Sequence, residues 1–151
     1  MRAGRRLVLV LLAGLVPWVV VVTDGAVSLV ASFGLVSVAP FHVTPIWSGL
    51  LRTGGGLPAP LRSWPVAAVL YLLALGSAVV GWRFDREDAR LTGGLLVVTG
   101  LALLPVVLAV GRPMHVTALA LGSVALWVVA WAGYRAALKR AVLGVPAGGG
   151  R

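Results

Sequence analysis

AVSLVASFGLVSVA, residues 26–39, is the stretch on which the fold turns. Its fourteen positions are mostly apolar but broken by Ser28, Ser32, Gly34 and Ser37. A helix of that length rises about 21 Å at roughly 1.5 Å per residue, short of a hydrocarbon layer of about 30 Å. Counting it as a membrane span leaves six Lys and Arg side chains on the cytoplasmic side and seven outside; keeping it outside, with the N-terminus in the cytoplasm, gives ten against three. Basic residues collect in cytoplasmic loops, so the stretch is expected to stay outside. A weak alternation of Val27, Leu29, Ala31, Phe33 and Leu35 with their neighbours favours extended chain there.

The rest of the chain makes the membrane reading necessary. Of 151 residues, 60% are hydrophobic and 11% charged, and the mean hydropathy of +1.02 lies far above that of a water-soluble domain. Thirteen Lys and Arg against four Asp and Glu would suggest nucleic acid in a soluble chain. Here the basic residues flank apolar runs and act as topology signals, so no nucleic-acid partner is expected. The absence of cysteine excludes disulfides, thiolate metal sites and Fe–S clusters.

Four apolar runs are long enough to span: residues 7–23, 65–82, 91–111 and 116–134. The first follows Arg2, Arg5 and Arg6; a cleaved signal peptide competes with it, since Ala26 and Ser28 resemble a processing site, but Pro17 beside Trp18 fits a kinked membrane helix. Trp64, Trp82, Trp131 and Tyr134 fall near span ends, where amphipathic rings favour the interface. Ala74 with Ala78, Ser77 with Gly81, and Ala118 with Gly122 form small-residue pairs suited to close helix contact. Thr44 and Pro45 read as the cap and first turn of a short interfacial helix over residues 45–52. The expected fold is therefore an all-α membrane protein: four transmembrane helices in one domain, residues 1–143, with a long extracellular segment, 24–64, partly extended or short-helical, between helices 1 and 2. Residues 144–151 are expected to be disordered.

Chemistry is sparsely marked. No Asp, Glu, Lys or Arg lies inside a span, so a proton-coupled exporter mechanism has no carboxylate to use. Ser77 and Ser123 are the candidate nucleophiles by position, yet no His or Lys accompanies them in the spans. Asp85, Asp88 and Arg90 superficially resemble an aspartate-rich head-group transferase signature, but Ala89 follows Asp88 and no acid comes after it. A solvated, charge-paired loop, with Arg83 four residues from Glu87, is the simpler reading. The one convergence is at the outer ends of the spans, where Asp24, His42, Arg112 and His115 could meet an anionic group. Two histidines without fixed spacing make no metal or haem signature, so no metal and no cofactor are expected. The partners expected are the lipid bilayer, other membrane proteins or further copies of the chain.

Pro17-Trp18, SFGLVSVAPFHVTPIW (residues 32–47), LPAPLRSWPVAAVLY (57–71) and GSVALWVVAWAGY (122–134) together resemble an uncharacterised family of small haloarchaeal multi-pass membrane proteins, over nearly the whole chain. The resemblance implies an architecture and an archaeal cell membrane, but no activity and no functional residue. Twelve Arg to one Lys is compatible with a GC-rich genome. The role expected is that of a non-enzymatic accessory or assembly subunit, with a transporter or channel component as the alternative and a membrane enzyme third.

The basic-residue distribution places both termini in the cytoplasm. With no native thiol to interfere, an impermeant maleimide on intact cells should label Gly55→Cys and spare Ala89→Cys; the opposite pattern would reverse the topology.

Overall fold

The computed structural model describes residues 3–51, 59–86 and 88–144. Arg2, Arg52, the glycines at 54–56, Glu87 with its expected Arg83 pairing, and the tail from residue 145 lie outside that description. The elements in chain order are α1 (Ala3–Leu15), β1 (Val19–Thr23), β2 (Ala26–Val30), β3 (Gly34–Val38), β4 (Phe41–Pro45), α2 (Ile46–Leu51), a single 3-10 turn (Ala59–Leu61), α3 (Trp64–Phe84), α4 (Ala89–Val110), β5 (Val116–Leu119) and α5 (Leu121–Leu143). The strands form one antiparallel sheet in the order β4-β3-β2-β1-β5.

The all-α, four-span expectation is thereby corrected. Three helices, α3, α4 and α5, are long and apolar enough to cross a membrane. The run at 7–23 is instead divided: its first part belongs to α1, whose 13 residues rise only about 20 Å, and Val19–Thr23 is β1. Pro17 supplies the break, because it has no N–H to continue the helix and its ring disfavours helical backbone at Val16. Beyond it, VVVVT is β-branched throughout and suits a pleated strand. Asp24 and Gly25 then form a two-residue turn that pairs Thr23 with Ala26, with Gly25 at φ +82°, a backbone region that side chains rarely adopt. The start of the last expected span is corrected in the same way. Residues 116–119 form β5 against β1, and α5 begins only at Leu121.

Within the expected extracellular segment, the period-two pattern corresponds to β2 and β3, and a short helix follows β4 at Ile46–Leu51, after Pro45 has closed the strand. Each of α3 and α4 lies within two residues of its expected bounds.

The helices form a four-membered bundle in which α4 packs along α3 and α5, and α1 packs along the same two helices from the other side. The N-terminal part of α1 lies beside the C-terminal ends of α3 and α5: Gly4 is next to Trp82, and the Arg6 guanidinium stands 5.2 Å from the Tyr134 ring centre. Where α1 stops, β1 carries the chain onward against α4 and α5. The junction is dense with specific contacts. Trp18 is fully buried, its indole donating to the Ala13 carbonyl at 3.2 Å and its ring meeting Tyr71 edge-on at 5.4 Å. Ser32 Oγ donates to the Gly14 carbonyl at 2.9 Å, and Tyr71 Oη to Val10 at 2.9 Å. The backbone N–H of Gly122 donates to the Trp18 carbonyl, and Trp64 Nε1 to Ala31 at 2.9 Å. Trp64 and Tyr134 are therefore buried where interfacial anchors were expected, whereas Trp82 and Trp131 are exposed.

Between helices, Ser123 Oγ donates to the Gly100 carbonyl at 2.9 Å, Trp127 Nε1 to Val97 at 3.2 Å, and Ser77 and Thr92 share a hydrogen bond of 2.6 Å. Each bond satisfies a polar atom that an apolar surrounding would otherwise penalise. Ala74 and Ala78 are buried in α3, while Ala118 lies in β5 and so forms no helical pair with Gly122.

A Cβ on Gly122 would lie 2.5 Å from Trp18 Cα, a backbone atom that cannot step aside. Gly122→Leu should therefore lose at least about 1–3 kcal/mol of stability, as overpacked sites do. The conservative control Val128→Leu, at an exposed position of the same helix, should be near neutral. Equal thermal midpoints for the two variants in detergent would show that the junction is not tight.

Candidate functional site

The four residues singled out at the outer end do not assemble as one group. Asp24 occupies the β1–β2 turn, and His115 immediately precedes β5. Because β5 pairs with β1 so that Thr23 faces Val116, the turn comes beside His115, whose Nδ1 lies 3.9 Å from Asp24 Oδ2. Both side chains are more than four-fifths exposed, at 81% and 88%, and water screens such a pair strongly. His42 lies on β4, at the opposite edge of the sheet, with three strands between it and β5. At about 4.8 Å per strand that separates the histidines by roughly 19 Å. Arg112 follows the end of α4 and lines a cleft with Arg62, a residue that sequence reasoning counted only as a topology charge.

The carboxylates of the α3–α4 connection serve the helix ends. Asp88 caps α4, its Oδ1 accepting from the backbone N–H groups of Arg90 and Leu91 at 2.9 and 3.2 Å. Asp85 ends α3 in a left-handed conformation at φ 51°. Ser77 and Ser123, the candidate nucleophiles, spend their hydroxyls on Thr92 and Gly100. Among the described residues no three His, Asp or Glu side chains cluster with metal-binding spacing.

The sheet offers a different kind of site. Side chains alternate faces along a strand, and directly paired residues share a face. Val19, Val21, Val30, Leu35 and Ala118 pack into the core, so the register assigns Thr23, Ser28, Ser37, His42 and Thr44 to that same side. The other side carries Val20, Val22, Val27, Leu29, Val36, Val38, Phe41, Val43 and Leu119, with Thr117 alone polar. Phe41 is 77% exposed and Val38 51%. A water-soluble sheet turns one apolar face to the core and a polar one to water; here the face turned away from the bundle is apolar as well. The Asp24-Gly25 dipeptide between two β-branched runs was the sequence signal that could have revealed it.

No curated protein and no solved structure matches the chain. Residues 1–143 match a family described as a domain of unknown function, DUF8050, and on that extent of match the chain belongs to this uncharacterised family.

Proposed function

We propose that the chain is a non-enzymatic assembly subunit of a cell membrane, held there by α3, α4 and α5, which works by pairing with a second copy through the apolar face of its sheet. The observation that carries this reading is that face: nine apolar side chains and no charge across five strands. Hydrocarbon is a poor cover for it, because the free edges of β4 and β5 present N–H and C=O groups that lipid cannot satisfy. Water is a poor cover too, since apolar patches of a few hundred Å² on soluble surfaces mark contacts.

A second sheet packed face to face covers the apolar side without placing the strand edges in hydrocarbon. Five strands about 4.8 Å apart and about five residues long give a face of roughly 400 Å² in projection. Two such faces packed about 10 Å apart remove about 800 Å² from solvent, the low end of specific contacts, and anchoring by α3, α4 and α5 confines both copies to one plane. A flat, uncharged, valine-rich surface selects no charge on its partner and is complementary in shape and chemistry to itself, as a two-fold interface requires. The resemblance of the sequence to small haloarchaeal membrane proteins supports an archaeal cell membrane as the setting.

Leu29 lies on β2, the central strand, on the apolar side, and Ser28 beside it points to the other side. In a chain without native cysteine, Leu29→Cys should give a disulfide-linked dimer on mild oxidation in membranes, and Ser28→Cys should not. Absence of the Leu29→Cys dimer, together with a monomeric mass in lipid nanodiscs, would overturn the proposal.

A further inference from the structure

On the side of α4 away from the sheet lies a cleft of about 470 Å³ between the last turns of that helix and the start of α3. At about 100° per residue, Pro105, Leu108, Ala109 and Arg112 form one stripe of α4. Val107 and Val110, which face the core with β1 and β5, fall on the opposite stripe. The cleft thus owes nothing to the sheet interface proposed above. Its polar lining is Arg62, Ser63 and Arg112. Both arginines are exposed, and among the described residues no carboxylate lines the cavity.

The chain supplies almost no counter-charge at this end. Of its four acidic residues, Asp85 and Asp88 lie at the far ends of α3 and α4, Glu87 stands between them in sequence, and Asp24 is beside His115. Ser63 adds a second observation. It occupies the N-cap of α3 but makes no capping bond, and its Oγ is buried without a hydrogen-bond partner among the described residues. A buried hydroxyl left unbonded is costly; Ser63 lines the same cavity as the two arginines, with its Oγ turned away from solvent.

We propose that this cleft binds a phosphate group, Arg62 and Arg112 gripping its oxygens with their forked N–H donors and Ser63 Oγ donating a further hydrogen bond once its side chain rotates toward the cavity. Guanidinium geometry matches phosphate oxygens two at a time, and the amide end of α3 adds favourable potential for an anion. Below the arginines the wall is apolar: Pro105 and Leu108 are exposed, Leu108 at 68%. A cationic rim over an apolar wall suits a phosphate that carries an acyl chain, and inorganic phosphate would use the rim alone.

The test is thermal unfolding of the full chain in a non-ionic detergent, titrated separately with dihexanoylphosphatidylglycerol, with inorganic phosphate and with dihexanoylglycerol, which has the chains without the phosphate. Wild type is compared with Arg62→Gln/Arg112→Gln, with Arg112→Gln alone, and with Arg140→Gln at the far end of α5. The phospholipid should raise the wild-type midpoint saturably, with an apparent affinity weakened about tenfold or more in the double variant, partly in Arg112→Gln and not in Arg140→Gln. Dihexanoylglycerol should have no saturable effect. An equal saturable response to inorganic phosphate, lost in the double variant, would keep the phosphate site and assign it to the free anion. No saturable response to either phosphate probe in wild type, or an undiminished response in the double variant or in Arg112→Gln, would overturn the site.

Discussion

Everything above α1 depends on how that helix is stopped. A helix ends with carbonyls that have no internal partner, and in an apolar surrounding each must find a donor. Here the Ala13 carbonyl takes the Trp18 indole N–H and the Gly14 carbonyl takes the Ser32 hydroxyl. Both donors come from the sheet or its connections, so the sheet supplies the cap that α1 lacks in its own sequence. The dependence runs both ways. Trp18 passes its carbonyl to Gly122 and its N–H to Val30, and Trp64 holds Ala31 from α3. Helix end, strand start and two neighbouring helices are thus fixed by one residue and its immediate neighbours.

That junction also explains why the sheet is arranged with its apolar side outward. The side toward the helices needs only Val19, Val21, Val30, Leu35 and Ala118 to meet the bundle. Among the remaining positions on that side, Thr23, Ser28, Ser37, His42 and Thr44 are polar and Ala26 and Val116 apolar. Among the described residues nothing covers Val22, Val38 and Val43 on the other side, which are exposed. A sheet of this kind is stable as a folded unit but incomplete as a surface, which is the physical ground for reading it as an interface.

The helices α3 and α4 were legible in the sequence because uninterrupted apolar length is a strong signal, and their ends carry Pro65 and Asp88 as start marks. The sheet was not, because a run of valines fits a membrane span and a buried strand equally well by hydropathy alone. Length should have decided it: subtracting Pro17 and everything before it leaves Trp18 to Thr23, far too short for a span, and Asp24-Gly25 then reads as a hairpin turn. Residues 116–119 misled for a related reason, since no proline or glycine separates β5 from Leu121. Which of Asp24, His42, Arg112 and His115 meet was not legible, because the sheet decides it: β4 and β5 at opposite edges separate the histidines, and the pairing of β5 with β1 brings His115 to Asp24.

The order of the strands has a consequence for how the chain comes into being. A ribosome delivers β1 to β4 early, as a meander of neighbours in sequence, but the partner on the other flank of β1 arrives about a hundred positions later, when Leu119 comes to face Val20. Until α3 and α4 have been made, that flank of β1 is an unpaired edge open to wrong partners. The short β5 segment therefore acts as a seal applied last, and it joins completion of the sheet to completion of the bundle.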